Sequence, residues 1–257
     1  MINRGEIEFL GTGTSTGIPV IGCGCNVCKS SDFKDKRLRT SAIVRIGGKN
    51  ILLDCGPDFR EQMLRASSHK LDMALLTHSH YDHVGGIDDL RPYCYPEHFP
   101  IYAQQNVLDD LVARVPYCFY KNPYPGVPQF QLTAIEPNQP IALGDVKIEA
   151  LPIWHYKLLI NGYKIGDNLA YITDAKTIDD EVVNSIKGIE LLIINSLRIE
   201  PHMSHMSLEE TLKIVERIKP KQTYLIHMSH DMGKHEEVEK KLPKGVAFAY
   251  DGLVVAF

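Results

Sequence analysis

Residues 77–83 read Thr-His-Ser-His-Tyr-Asp-His and follow directly on the apolar run Met73-Ala74-Leu75-Leu76. Four side chains able to ligate a metal, His78, His80, Asp82 and His83, therefore crowd into six residues at the end of a strand-like segment. On an extended backbone the histidines at i and i+2 point to one side, while Asp82 and His83, a turn later, face a neighbouring position. That spacing suits two adjacent metals. It also constrains the fold, which must end a strand at the edge of a sheet and open a pocket there.

Three more potential ligands stand in the same context. His155 follows the segment 147–153, Asp174 follows 169–173 and His227 follows 223–226, each just past an apolar stretch of strand length. If those strands run in one direction their ends converge on one edge, where layered α/β folds commonly form sites. Further strand signals lie at 7–10, 41–46, 50–54, 73–77, 146–152, 191–195 and 253–257, many of them rich in β-branched residues. Helical patterns are fewer. The clearest begins at Ser207, three residues before Glu210, with Leu208, Leu212, Val215 and Ile218 at helical spacing up to Pro220. Residues 105–115, 178–186 and 234–241 are further helix candidates.

Interspersed strands and helices imply sheets with helices packed outside them. No Gly/Ser/Pro-rich linker divides the chain, so residues 1–257 are expected to form a single domain, and a hydrophobic content of 44% supplies its core. Residues 116–128, with Tyr117, Phe119, Tyr120 and Tyr124 among four prolines, read as a long stiffened loop. Its open roles are cover over a pocket, contact in a homodimer, or plain surface packing. The first ten residues alternate charged and apolar side chains, unlike a secretory signal. No apolar run nears the roughly 18 residues of a membrane span. A soluble, cytoplasmic protein with no membrane partner is expected. The net charge of −4 gives no footprint for a large polyanion, which disfavours nucleic acid but leaves a small anion open.

Six cysteines are present, three of them in Cys23-Gly24-Cys25-Asn26-Val27-Cys28. A reducing cytosol disfavours disulfides. Three thiolates are one ligand short of a closed tetrahedral zinc site. His230, three residues after His227, offers the fourth ligand. Cys55, Cys94 and Cys118 are the alternatives, and each also reads as a small buried hydrophobe or an unreactive thiol.

Taken with Leu10-Gly11-Thr12-Gly13-Thr14-Ser15, Leu53-Asp54-Cys55-Gly56 and His205, these motifs give a chain that resembles, over almost its whole length, the metallo-β-lactamase-fold hydrolases. More narrowly it is similar to the PhnP type, the cyclic phosphodiesterase of phosphonate catabolism. The resemblance implies an αββα sandwich of two mixed sheets flanked by helices. It implies that His78, His80 and His155 hold one divalent metal, that Asp82, His83 and His227 hold a second, and that Asp174 bridges them. Zinc, manganese, nickel and iron all accept such ligands. A bridging hydroxide would be the nucleophile, since metal coordination brings the pKa of water to about 7. His205 is then the general acid or base, and Asp82 belongs with it to the catalytic set. The PhnP type also carries a structural zinc on a cysteine trio and a histidine, which Cys23, Cys25, Cys28 and His230 match.

The implied substrate is a small anionic phosphodiester, in the PhnP type phosphoribosyl 1,2-cyclic phosphate. The alternatives are the tRNA 3′-processing ribonuclease Z, whose basic arm is not visible here, and a thioester or lactone hydrolase on the same scaffold. Gly11–Gly17 lacks the Gly-Lys-Ser/Thr ending of a phosphate loop and reads as a tight turn beside the site. Asp54 reads as a supporting or turn residue rather than a ligand. Arg37, Arg39 and Arg198 read as surface or salt-bridging residues within possible reach of a phosphate, and His202 as a solvent-facing loop histidine.

Overall fold

A computed structural model describes residues 4–137 and 139–257. Strand β1 (Gly5–Gly11) pairs antiparallel with β2 (Ser41–Ile46), which turns through Gly47 and Gly48 into β3 (Lys49–Leu53). Both glycines sit at positive φ, as a two-residue hairpin of this hand requires. Helix α1 (Phe59–Arg65) leads to β4 (Met73–Leu75), the short α2 (Tyr81–Val84) precedes β5 (Phe99–Ala103), and α3 (Gln105–Arg114) precedes β6 (Phe130–Ala134). From β3 to β6 neighbouring strands run parallel.

A second sheet starts with the meander β7 (Pro140–Leu143), β8 (Val146–His155) and β9 (Leu158–Ile165), then β10 (Leu169–Ile172). Helix α4 (Asp180–Ser185), β11 (Leu191–Asn195), α5 (Leu208–Ile218), β12 (Gln222–Ile226), α6 (His235–Glu239) and β13 (Val246–Phe248) extend it in parallel. The last strand, β14 (Val254–Ala256), returns to the first sheet beside β1. The result is two seven-stranded mixed sheets, β14-β1-β2-β3-β4-β5-β6 and β13-β12-β11-β10-β9-β8-β7.

Strand periodicity decides which side chain goes to which layer. In β10, Leu169 and Tyr171 enter the core between the sheets, whereas Ala170 and Ile172 face the outer cluster that also contains Val182, Val183 and Ile218 of α4 and α5. Strand β3 divides the same way: Ile51 and Leu53 join the central core, and Leu52 packs outward with Phe59 of α1 and Leu108 of α3. Both sheet faces are therefore apolar and covered, and the layers stack as the expected αββα sandwich. Helix α5 starts as its sequence dictates. Ser207 Oγ accepts from the Glu210 amide at 3.4 Å, and the Ser207 amide donates to the Glu210 carboxylate at 2.8 Å.

Two strands run against their local signals. Asn161-Gly162 reads as a turn but lies inside β9, where a Cβ on Gly162 would come 3.1 Å from the Tyr171 carbonyl oxygen. The glycine serves close strand packing there rather than chain reversal. Pro100 would argue against an interior strand, yet in β5 it is paired only with Gln131 of β6, one residue before pairing with β4 begins. No helix among the described residues is long and apolar enough to cross a membrane.

Candidate metal centre

Three strands end in the same unusual way. Asp54 after β3, Asp174 after β10 and His227 after β12 have φ of 59°, 56° and 58°. Residues with a Cβ adopt this left-handed region at a cost, and such costs concentrate at functional sites. Each sharp turn comes at a strand terminus, and together they bring Asp54, Asp174 and His227 to one edge of the sandwich with the loop after β4. The two sheets are tied there by the Asn161 amide donating to the Thr77 carbonyl (3.0 Å) and by Thr14 and Met228, whose amides bond to Met228 and Thr12 (3.0 and 3.1 Å).

Asp54 organises the histidines. Buried, it accepts from the Thr77 amide (2.8 Å), the Thr77 hydroxyl (2.9 Å) and His83 Nδ1 (2.7 Å). With its proton committed to Asp54, the Thr77 hydroxyl is an acceptor for His78 Nδ1 at 2.9 Å. One carboxylate thus fixes the tautomers of two histidines, His83 directly and His78 through Thr77, and leaves both Nε2 atoms as lone-pair donors. His155 is fixed in the same sense by carbonyls of Asp174 and Ser204, each 2.9 Å from its Nδ1. Asp54→Asn keeps the left-handed turn accessible but weakens this hold, so we expect a 10- to 100-fold loss of metal affinity, read by competition with a chelator.

The ligand atoms converge in overlapping groups: His78, His80 and His155; Asp82, His83 and His227; and His78, His83 and Asp174, each within 4.8 Å. His83 Nε2 stands 3.2 Å from Asp82 and 3.3 Å from Asp174, and His227 Nε2 stands 3.2 Å from Asp174 and 3.6 Å from Asp82. Yet both nitrogens are buried without a hydrogen bond among the described residues. Lone pairs gathered near one another and aimed past hydrogen-bond geometry call for a cation among them. Ligands about 2.1 Å from a tetrahedral ion lie about 3.4 Å apart, so the donor set fits divalent metals. The electrostatics agree. Burial pulls the His83 pKa down, but Asp174, Asp82 and Asp54 more than reverse this and hold it well above its ordinary value. Burial pushes Asp174 up, and His227, His83 and the His205 hydrogen bond overcome it, leaving its pKa well below the usual range.

The loop that carries this motif packs on the Asp54 turn through glycines. The Cys55 amide donates to the His83 carbonyl (2.7 Å) and the Gly86 amide to the Cys55 carbonyl (2.9 Å). A Cβ on Gly56 would collide with the Asp82 carbonyl oxygen, and one on Gly86 with the Gly56 carbonyl oxygen. Gly56→Ala is expected to cost about 1–3 kcal/mol, a Tm loss of about 3–10 °C in calorimetry.

His205 enters from the loop before α5. Its Nε2 is 2.9 Å from Asp174, its ring stacks on His227 with centroids 5.0 Å apart, and its Nδ1 faces the Ser204 hydroxyl at 3.0 Å. His202 is not a free loop histidine: its Nδ1 lies 3.3 Å from His205 Nδ1, with ring centroids 5.2 Å apart. The i, i+3 spacing of the two histidines was the available signal for that pairing. The stretch Gly11–Gly17 lies against residues 37–40, with Gly13 bridging to Arg39 and Met228, as a tight connection beside the site.

The cysteine trio meets its partner. Sγ of Cys23, Cys25 and Cys28 lie 3.3, 3.3 and 3.6 Å from His230 Nδ1. Sulfur at about 2.3 Å and nitrogen at about 2.0 Å from a tetrahedral zinc would stand about 3.5 Å apart, so this group also fits a metal. The Cys28 amide donates to Cys25 Sγ and the Val20 amide to Cys28 Sγ, both at 3.4 Å. The Cys28 amide first, then His230, draws the Cys25 pKa down to about 6, while burial lifts Cys28 to about 11. Cys55, Cys94 and Cys118 are buried elsewhere, in the outer core of the first sheet.

Comparison with known proteins agrees with this geometry. The beta-lactamase superfamily domain model matches residues 49–228, which span the motif from β3 to Met228. A protein of Porphyromonas gingivalis named octanoyltransferase is 47% identical over 247 residues, covering 95% of this chain, but the chain spans only 50% of its length. Ribonuclease Z of Bradyrhizobium diazoefficiens is 44% identical over 57 residues, 21% of this chain and 19% of that protein. The crystal structure of a diphosphatase from the PhnP family superposes with a TM-score of 0.92 at 38% identity, covering 99% of this chain and 97% of the other. Family model, fold and near-complete structural overlap coincide, and the chain belongs to the PhnP family of metallo-β-lactamase-fold, metal-dependent hydrolases.

Proposed function

We propose that this chain hydrolyses a small phosphodiester, of which phosphoribosyl 1,2-cyclic phosphate is one candidate, at a dinuclear metal centre. His78, His80 and His155 would hold one ion, Asp82, His83 and His227 the other, with Asp174 shared between them. When bound, two divalent ions supply Lewis acidity and a water activated near neutral pH. Two carboxylates against two dications leave the site positive, which favours an anionic substrate over a neutral one.

The observation that carries the reading is His205, an imidazole held by Asp174 at 2.9 Å beside both ligand groups yet keeping 13% of its side chain accessible. It can deliver a proton from Nε2 to a departing alkoxide, the demand a phosphodiester makes and an activated ester does not. Asp174 orients the ring, and Ser204 and His202 support its other nitrogen. His205→Ala is expected to lower kcat about 10²- to 10⁴-fold with metal content unchanged. Loss of a metal equivalent from that variant would make His205 a ligand instead.

The PhnP-family diphosphatase favours a second reading, cleavage of a diphosphate bond on the same centre. The octanoyltransferase name belongs to a chain twice as long, so acyl chemistry enters only as a control. A panel of bis(p-nitrophenyl) phosphate, 2′,3′-cyclic nucleotides, phosphoribosyl 1,2-cyclic phosphate, a dinucleoside diphosphate, pre-tRNA and an octanoyl thioester separates the possibilities. The highest kcat/KM should fall on a small cyclic diester. Preference for pre-tRNA or the thioester would overturn the reading.

A further inference from the structure

A metal-ligating histidine needs something to aim its ring, and one of the histidines in this centre lacks the usual device. His83 is aimed by Asp54, His78 by the Thr77 hydroxyl and His155 by two carbonyls, each through Nδ1, which leaves Nε2 for the metal. His227 has no such bond, but it is buried and its ring stacks with those of His83 and His205 at centroid distances of 5.7 and 5.0 Å. His80 has neither support. Its Nδ1 stands 3.0 Å from His78 Nε2, within the ligand group, its Nε2 makes no hydrogen bond among the described residues, and the residue is exposed. Whatever aims His80 therefore acts through its backbone.

That backbone is gripped from helix α3. Ser79 donates its hydroxyl to Asp110 Oδ2 at 2.5 Å, and Arg114 donates a terminal nitrogen to the Ser79 carbonyl at 3.1 Å. The Ser79 carbonyl belongs to the peptide leading into His80, so Arg114 fixes that peptide plane and Asp110 fixes the residue before it. Asp110 and Arg114 stand one turn apart on α3, a spacing at which an aspartate and an arginine ordinarily pair with each other. Here both reach the ligand loop instead, and no ion pair joins them among the described residues. The helix is a firm base. Val107, Leu108 and Leu111 anchor its other face in the outer core of the first sheet. Just before its start Gln104 Nε2 donates to Asn161 Oδ1 at 2.8 Å, and the Asn161 amide holds the Thr77 carbonyl at 3.0 Å. The segment from Thr77 to His80 is thus bracketed at both ends by groups tied to α3.

We infer that Asp110 and Arg114 are positioning residues for His80, setting the affinity of the ion held by His78, His80 and His155 and not that of the ion held by Asp82, His83 and His227. A ligand must be kept within about 0.5 Å of its productive place, and the exposed ring of His80 has only this bracket to keep it there. Asp82 and His83 are secured separately, by Asp54 on the His83 ring and by the Cys55 amide on the His83 carbonyl at 2.7 Å. The role rests on the dinuclear reading and gives its two ions unequal supports.

Competition between the purified, metal-loaded protein and a chelator tests it. Wild type should release two ions besides the cysteine-bound zinc. Asp110→Ala should weaken one of the two about tenfold, leave the other unchanged, and keep Tm within about 2 °C of wild type. Ser79→Ala should do the same, and the double variant should lose no more than either single one. Asp110→Asn, whose side-chain carbonyl still accepts the Ser79 hydroxyl, should restore wild-type affinity. The weakened ion should be the one lost in His155→Ala, so adding Asp110→Ala to that variant should leave the remaining ion as tightly held as before. Saturating metal should return turnover of Asp110→Ala to the wild-type level. Unchanged affinity, equal weakening of both ions, or no rescue by asparagine overturns the positioning role while the dinuclear centre stands. A wild type without two such ions overturns both.

Discussion

Asp174→Asn should leave a folded protein that has lost at least about 10³-fold of its turnover and at least one equivalent of metal. Asparagine tolerates the φ of 56° and fills the same space, so the backbone turn after β10 is preserved. What changes is charge. Among the described residues, Asp174 stands 3.3 Å from His83 and 3.2 Å from His227 of one ligand group, converges within 4.8 Å with His78 and with His155 of the other, and also receives His205. It is therefore the one carboxylate that touches both ligand groups and the proposed proton donor. Removing a support behind a ligand commonly costs 10- to 100-fold, and replacing a shared ligand should exceed that. Elemental analysis beside steady-state kinetics checks it. Full metal occupancy with activity within tenfold of wild type would remove Asp174 from the centre.

Cys25→Ser and His230→Ala should each release one zinc equivalent and lower Tm by about 10–20 °C. The four residues join segments 202 to 207 positions apart. Closing a loop of that length restricts the unfolded chain by about 5 kcal/mol in the simple entropy model, and about 2–4 °C of Tm accompany each kcal/mol in a chain of this size. Catalysis should suffer less than stability, because His227 and His230 are separated by Met228 and Ser229, whose backbone is independently tied to Thr12, Thr14 and Leu197. A variant that kept its zinc and its Tm would show that His230 is not the fourth ligand.

Much of the site is legible in the chain because strand termini deliver it. His78, His80, Asp82, His83, His155, Asp174 and His227 each follow an apolar run, and a parallel or mixed sheet brings such termini to one edge. The cysteine trio and His230 are legible for a different reason: a metal needs a fixed number of donors, so an incomplete set points to a missing partner. Asp54 is harder to read. Its position before Cys55-Gly56 marks a turn, but its hold on His83 directly and on His78 through Thr77 depends on the loop after β4 folding back onto it. His202 is harder still: only its i, i+3 spacing from His205 hinted at a pairing that the contact itself establishes.

Fold details were lost where local chemistry and tertiary demand differ. Asn161-Gly162 signals reversal, yet β9 runs straight through it because the Tyr171 carbonyl needs a neighbour without a side chain. Pro100 hides β5 because its missing N–H matters only where a strand is paired on both sides, and pairing with β4 starts at Ile101. Helix α5, whose start is set by its own capping box, needed no tertiary help and begins where the sequence places it.

Whether the histidine and aspartate cluster acts as a catalytic dinuclear centre is decided by the metal dependence of turnover. The direct measurement is turnover of a 2′,3′-cyclic nucleotide by the purified protein as metal is removed by a chelator and restored by titration, with metal content determined at each step. Turnover should vanish with the chelatable ions and return in proportion to two equivalents per chain beyond the cysteine-bound one. Turnover that persists in the metal-free protein, or a fully loaded protein that cleaves no phosphodiester, would contradict it.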